Sequence, residues 1–299
     1  MSRVLRASLV VLALSALPVL AAEPSTPKAP AKSATPATEP RLVLVGPTIT
    51  ETVFALGAGA QVVGVDDISL ALPGVAGKPK VGYQRALSAE TVLALRPTRL
   101  LATEEAGPPG VLEQLRTAGT DVVLFPNRPT LDEARKRIRE VASRLGREAQ
   151  GEALVAELEK DLKVAAERVA AAKGRKPLKV LAIYARGANA LMVAGTETAS
   201  DELIRLSGGV NAVPGFSGHR PLTAEEVVAA APDLVLIPTG SLQAVGGAEG
   251  LSKVPGLAQV KGWKVTSVDD VNFMGLGPRL GKAVGHIQDA MRLPVRSGT

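Results

Sequence analysis

Short apolar runs and amphipathic helical stretches alternate along two parts of the chain. Residues 41–128 and residues 176–299 each contain buried-strand signals separated by helix signals, an alternation typical of parallel sheets covered by helices. Residues 129–175 show only a helical period. A single helix over residues 148–173 would reach about 39 Å at 1.5 Å per residue, which is long enough to join two lobes. The pattern therefore predicts an α/β fold with two parallel-sheet lobes and a long bridging helix.

The same pattern places individual elements within each lobe. In the first lobe we expect strands at residues 41–45, 61–65 and 122–125 and a helix at residues 50–56. In the second lobe we expect strands at residues 179–184 and 264–268, a loop at residues 272–278 and a final helix at residues 279–291. Each lobe is long enough to bury a modest core.

A loop followed by a helix occurs twice. Residues 82–97 resemble residues 218–232, and their helical parts align without a gap. In each copy a serine or threonine begins the expected helix and a proline ends it. A second pair of similar segments, residues 46–59 and residues 195–209, precedes the first pair in the same order. Chance similarity of alanine-rich helices is the alternative, but two matches in one order favour duplicated lobes.

The first 22 residues have the pattern of a secretory signal peptide. Two arginines precede an apolar run at residues 9–20, and Ala21 and Ala22 supply small residues at a cleavage point. An uncleaved membrane anchor is the alternative, but the run is shorter than the roughly 20 residues that span a bilayer. Residues 23–40 are rich in proline, alanine, serine and threonine and predict a flexible tether.

The composition of the chain indicates its cellular compartment and argues against one class of partner. The sequence contains no cysteine, so we expect no disulfide, no thiolate metal site and no lipid attached as in a lipoprotein. The mature protein is expected to be a monomer, free in the periplasm. The net charge is only +6 and no basic cluster is interleaved with aromatic residues, which argues against binding of nucleic acid.

Common enzyme signatures are absent from the sequence. It has no Gly-x-Ser-x-Gly motif and no Walker phosphate loop, and Gly57-Ala58-Gly59 lacks the third glycine of a dinucleotide fingerprint. Two histidines cannot build a three-histidine zinc site. We therefore expect no enzymatic activity. A secreted enzyme that uses a two-lobed cleft is the alternative from another class.

Tyr83 and His219 occupy matching positions in the two repeated loops. Aromatic residues make up only 2% of the chain, and a tyrosine oxygen can bind ferric iron, as it does in catalase. Arg85 is two residues away and would favour the negatively charged phenolate. A tyrosine packed beneath the loop, with its hydroxyl bonded to the backbone, is the alternative. His286 falls in the last helix and is expected to be a surface or packing residue.

Several segments resemble the periplasmic haem-binding proteins of bacterial haem ABC importers. These proteins belong to a wider group that carries vitamin B12 and ferric siderophores. The likeness covers nearly everything after residue 40, and its Gly-Tyr-x-Arg loop is particular to haem carriers. The segments that carry the resemblance are Val81–Glu90, Leu95–Pro97, Gly107–Pro109, Leu112–Leu115 and Gly275–Arg279.

The resemblance implies two Rossmann-like lobes joined by a long helix, with haem b (hemin) held between them as the transported ligand. Tyr83 would be the axial ligand of the haem iron and Arg85 the neighbouring cation. Many members have a second tyrosine where this chain has His219, which would bind iron, contact a propionate or line the rim. Arg220 and Arg279 are further candidates for contacts with haem or its propionates.

The resemblance also implies a membrane partner. Members of the group dock on their permease through one glutamate in each lobe, and these fall on Glu90 and Glu225. A glutamate in the first turn of a helix is favoured by the helix dipole in any case, which is the alternative explanation. The expected function is delivery of haem to an inner-membrane ABC permease with its ATPase. A carrier of a corrinoid or ferric siderophore is the alternative within the class.

Overall fold

The computed structural model describes residues 40–186 and 190–293. The expected signal peptide at residues 1–22, and the tether at 23–40 apart from its last residue, lie outside these described residues. Among the helices that are described, none combines the length and the apolar character needed to cross a bilayer.

Four parallel strands form the sheet of the first lobe, in the order β2-β1-β3-β4. Buried apolar residues fill both faces of this sheet, as expected for strands covered by helices on each side. The strands are β1 (Leu42–Val45), β2 (Val62–Val65), β3 (Arg99–Thr103) and β4 (Asp121–Phe125), and the helices are α1 (Pro47–Ala55), α2 (Ala89–Ala94) and α3 (Pro109–Thr117). Helix α1 begins three residues earlier than expected because Pro47 occupies its first turn, where proline is well tolerated.

Two helices, α4 (Leu131–Arg144) and α5 (Glu148–Ala171), follow the first sheet. Helix α5 has 24 residues and is therefore about 36 Å long. Its apolar face packs into the core of the second lobe, while Leu154 near its start also contacts the core of the first. Arg147, just before the helix, donates to the carbonyl of Leu56 in the first lobe. The expected long helix between the lobes is confirmed.

The second lobe is built on a six-stranded sheet in the order β10-β9-β5-β6-β8, with β7 paired beside β5. Its strands are β5 (Lys179–Arg186), β6 (Ala190–Ala194), β7 (Val210–Asn211), β8 (His219–Pro221), β9 (Leu234–Pro238) and β10 (Lys264–Val268). Its helices are α6 (Ala199–Leu206), α7 (Ala224–Ala230), α8 (Thr239–Ala244), α9 (Gly247–Ser252), α10 (Asp270–Met274) and α11 (Leu280–Ala290).

The second sheet is not parallel throughout, which corrects part of the expected fold. Strands β5, β7, β9 and β10 pair in parallel, but β6 runs antiparallel to both β5 and β8. Only three residues separate β5 from β6 along the chain. A parallel neighbour needs a crossover of a dozen or more residues, so this connection forces the chain to turn back.

The repeated loop–helix units have matching helix starts. Ser88 Oγ accepts from the backbone N–H of Thr91 at 3.4 Å, and Thr223 Oγ1 accepts from that of Glu226 at 3.2 Å. Each bond satisfies one of the N–H groups that lack a partner inside the helix. The caps expected from the sequence are confirmed in both copies.

The helix ends of the two copies also match in backbone conformation. Arg96 and Ala231 have φ angles of 46° and 43°, which are uncommon for residues with a side chain. Each precedes a proline, Pro97 or Pro232, and a residue in that position is disfavoured in the right-handed helical region. The same uncommon backbone conformation at equivalent positions supports duplication of the lobe.

The loop expected at residues 272–278 begins as a helix. Asp269 caps α10 through a 2.9 Å bond from the N–H of Asn272 to Oδ1. The expectation missed this cap because apolar residues follow it for less than two turns. The remaining residues, Gly275 to Arg279, connect α10 to α11 and pack against α1 of the first lobe.

Candidate functional site

Tyr83 lies in a loop that main-chain hydrogen bonds tie to its neighbours. The N–H of Asp67 donates to the carbonyl of Gly82 at 3.0 Å, and the N–H of Gly107 donates to that of Gln84 at 2.9 Å. The Tyr83 side chain itself is 46% exposed. The backbone of the loop is thus held in place while the phenol faces solvent.

A buried polar network lies beneath this loop. Asp66 is fully buried, and its Oδ1 accepts from the N–H of Gly46 at 3.1 Å and from the hydroxyl of Ser69. Thr50 Oγ1 lies 3.0 Å from Ser69 Oγ and extends the network to α1. Burial raises the pKa of Asp66 above its ordinary value. Asp67 follows Asp66 directly and its N–H bonds the Tyr83 loop, so the network anchors that loop. The only feature of the sequence that indicates this network is a carboxylate at the end of a buried strand.

The polar ends of Tyr83 and Arg85 are available to a ligand. Within the described part of the chain, no residue hydrogen-bonds to the Tyr83 hydroxyl or pairs with the Arg85 guanidinium. The arrangement differs from a tyrosine packed beneath its loop, the alternative considered from the sequence. An exposed phenol and an exposed cation on one turn can together receive a ligand that has both a Lewis-acidic centre and negative charge.

His219 lies on a strand and not in a loop, which corrects the sequence expectation. It begins β8, where it pairs with Ala194 of β6 in antiparallel register. The short β8 segment has no strand-like alternation of its own and forms because β6 offers an open edge. The His219 side chain remains exposed. Partial loss of hydration lowers its pKa, which favours the neutral imidazole that binds metal ions.

Tyr184 is not among the site residues predicted from the sequence, yet it lies beside His219. The two rings meet edge to face, with centroids 5.4 Å apart and planes at 86°. Tyr184 also contacts Phe273 of α10, with centroids 6.1 Å apart, and the adjacent Met274 is 45% exposed. Tyr184 lies near the carboxyl end of β5, the edge of an open α/β sheet where ligands bind. Its position at that end was the one signal available in the sequence.

Arg220 already has two partners. Its Nη2 donates to a carboxylate oxygen of Glu226, and its guanidinium carbon lies 4.0 Å from the centre of the Phe216 ring. The side chain is 52% exposed. A ligand carboxylate could approach the exposed side of this guanidinium while Glu226, whose side chain is only 13% exposed, stays paired with it.

Arg279 lies at the junction of the two lobes. Its Nε donates to Glu51 of α1, and its Nη1 lies 3.4 Å from Asp269 Oδ2. The structure therefore assigns this candidate two carboxylate partners, one from each lobe. Arg279 lines a cavity of about 510 Å³, together with residues of α1, α5 and the start of α11. It also lines a smaller cavity of about 240 Å³ that includes His286, whose Nε2 lies 3.2 Å from Thr266 Oγ1.

Glu90 and Glu225 occupy equivalent positions in the two copies. Each is the second residue of its helix, α2 or α7, and each side chain is exposed. Neither carboxylate has a hydrogen-bond or ion-pair partner among the described residues. The two carboxylates are therefore open to a partner protein.

Comparisons with known proteins agree with this architecture. A family model described as periplasmic binding protein matches residues 42–268. The chain is similar to the periplasmic heme-binding protein RhuT from Roseiflexus sp. RS-1, with 39% identity, a TM-score of 0.79 and coverage of 85% of this chain and 98% of that chain.

Two curated relatives are more distant in sequence. An uncharacterized ABC transporter substrate-binding lipoprotein, YvrC of Bacillus subtilis, is 27% identical over 254 residues, covering 84% of this chain and 79% of the relative. A vitamin B12-binding protein of Pectobacterium atrosepticum is 26% identical over 201 residues, covering 66% of this chain and 71% of the relative.

Proposed function

The chain belongs to the periplasmic binding protein family and is a substrate-binding protein of an ABC transporter, and we propose that its substrate is haem. The observation that carries this proposal is the Tyr83 loop. Its phenol is nearly half exposed, it has no hydrogen-bond partner among the described residues, and Arg85 lies two residues away. A solved relative at 39% identity that is titled as heme-binding supports the same conclusion.

The geometry suits capture of ferric haem without covalent chemistry. Tyr83 supplies an oxygen for the iron, and Arg85, an exposed cation two residues away on the same loop, is the candidate for a charge-assisted bond to haem. Iron bound through one axial position leaves its opposite face open, and His219 is our candidate for contact from the second lobe. Arg220 is the candidate for a propionate, since its side chain is 52% exposed although it is paired with Glu226.

The partner that receives the haem is proposed to be an inner-membrane permease with its ATPase. Glu90 and Glu225 offer one exposed carboxylate in each lobe, at positions related by the internal duplication. Two such carboxylates can meet arginines on a two-fold permease and fix the register of docking.

The mature protein is proposed to be free in the periplasm after removal of residues 1–22. One relative is titled a lipoprotein, but this sequence contains no cysteine to carry a lipid.

Vitamin B12 is the second candidate substrate, because two curated relatives are titled vitamin B12-binding proteins. A corrinoid carries its own cobalt ligands and does not need a tyrosine oxygen, so this substrate would leave Tyr83 as an ordinary cleft residue. Titration of the purified protein with hemin, followed by absorbance, and separately with cyanocobalamin, followed by calorimetry, distinguishes the two. We expect a saturable change with hemin alone. Saturation by cyanocobalamin with no change for hemin would overturn the proposal.

A further inference from the structure

A segment of the second lobe is packed into the first lobe. Val271 of α10 belongs to the buried core around α1, and Arg279 donates to Glu51, which precedes it by 228 residues. A Cβ atom on Gly277 would lie 1.9 Å from Glu51 Oε2, and one on Gly275 would lie 2.6 Å from the Thr48 side chain. The two lobes therefore meet closely around one buried carboxylate.

Glu51 holds this carboxylate largely out of contact with water, on the wall of the cavity beside Arg279. The residue is only 7% exposed, and its Oε2 has no hydrogen-bond partner within the described ranges. Separation of the lobes would return the carboxylate to water. The charged groups around it come from four parts of the junction: Arg279 and Lys282 of the α11 region, Asp269 before α10, Arg137 of α4 and Glu157 of α5.

These neighbours do not offset the loss of hydration. Arg279 is the strongest favourable influence, but Asp269 opposes it. Arg137 donates to the carbonyl of Leu276 and to Asn127 Oδ1, and Lys282 pairs with Glu157 at 2.8 Å. Burial raises the pKa of Glu51 from 4.5 to about 6 in spite of the two arginines.

We propose that Glu51 makes the contact between the lobes depend on protons, so that proton uptake favours joined lobes and proton release favours their separation. The direction follows from linkage. When the lobes are apart, Glu51 is hydrated and has its ordinary pKa of 4.5; when they are joined the pKa is about 6. Between these values the joined state binds more protons, so a rise in pH shifts the equilibrium towards separation. A difference of this size corresponds to a change of roughly 30-fold in the opening constant, since one pKa unit is tenfold.

Amide hydrogen exchange of the ligand-free protein measures this opening. The reporters are the N–H groups of Phe273 and Gly275, which bond within the packed segment at 3.1 Å and 2.8 Å. After correction for the intrinsic effect of pH, we expect their protection to fall by about 15-fold between pH 4.5 and pH 8, because Glu51 of the open state is already half ionised at pH 4.5. In Glu51→Gln, which stays neutral, protection should no longer depend on pH. Glu157→Gln, an exposed carboxylate in the same cavity, should keep the wild-type dependence.

Two results would overturn the proposal. One is wild-type protection that does not change between pH 4.5 and pH 8, and the other is a pH dependence that survives in Glu51→Gln. Asp269→Asn keeps the helix cap and provides a second variant, because loss of its negative charge should move the midpoint to lower pH. An unmoved midpoint would count against the proposal. The measurement uses no haem, so its outcome is separate from that of the proposed function.

Discussion

His219 and Tyr184 meet edge to face, with ring centroids 5.4 Å apart, although 35 positions separate them in the sequence. This contact brings the second tyrosine of the chain to the residue that matches Tyr83 in the internal repeat. It covers one side of the imidazole and contributes to the partial burial that lowers the pKa of His219. Tyr184 is therefore a positioning residue for His219.

Tyr184→Ala should raise the pKa of His219 towards its ordinary value, because water would reach the uncovered face of the ring. Proton NMR titration can follow this directly, since His286 is the only other histidine in the sequence. Tyr184→Phe keeps the ring and should leave the titration as in wild type. An equal pKa in the alanine variant and the wild type would show that Tyr184 does not shield His219.

Arg85→Ala should weaken hemin binding by roughly 1 to 3 kcal/mol, the usual range for a charge-assisted hydrogen bond. The loss should be smaller than that caused by removal of the Tyr83 oxygen. Absorbance titration with hemin gives both values. Arg116→Ala removes an arginine from α3, outside the loop, and serves as the control. Equal affinities of Arg85→Ala and wild type would remove Arg85 from the site.

Glu90 and Glu225 should affect transport and leave haem affinity unchanged. Replacement of either by lysine is expected to slow haem uptake severalfold in vesicles that contain the reconstituted transporter, because it places a cation against a permease arginine. The double variant should be slower than either single one. Hemin titrations of all three should match wild type. Normal uptake by the double variant would mean that these glutamates only stabilise their helices.

Arg137 should be important for stability, because it is buried to 1% exposure and joins α4 to the segment between α10 and α11. Arg137→Ala leaves the Leu276 carbonyl and Asn127 Oδ1 without their donor, at a cost of about 3 kcal/mol in the free energy of unfolding. Urea denaturation measures it. Arg139→Ala, two residues further along α4 but exposed and paired with Glu152, should change little. Equal midpoints for the two variants would contradict the structural role.

Local patterns were sufficient to predict most of the framework. Strands such as β1 and β9 are apolar along their whole length, and the helices after the two loops carry caps and prolines that act within a few residues. The single long helix α5 began at the expected residue, Glu148. These features depend on nearest neighbours in the chain, which a sequence displays directly.

The contacts that shape the candidate site are of longer range. Tyr184 reaches His219 only after β8 has paired with the edge of β6, and a three-residue strand that contains proline has no periodicity of its own. The Glu51–Arg279 contact joins residues 228 positions apart. Arg279 could be recognised by resemblance as part of a motif, but its place at the lobe junction depends on how both lobes pack.

Haem binding through the Tyr83 oxygen is tested most directly by the absorbance spectrum of the hemin-loaded protein. Tyr83→Phe retains the ring and removes only the oxygen. We predict that the wild type and Tyr184→Phe share a high-spin ferric spectrum with a phenolate band, while Tyr83→Phe loses the band and binds hemin at least about tenfold more weakly. The chain has only these two tyrosines, so the two phenylalanine variants test every tyrosine that could bind the iron. A Tyr83→Phe protein with the wild-type spectrum and affinity would contradict the assignment of Tyr83 as the iron ligand.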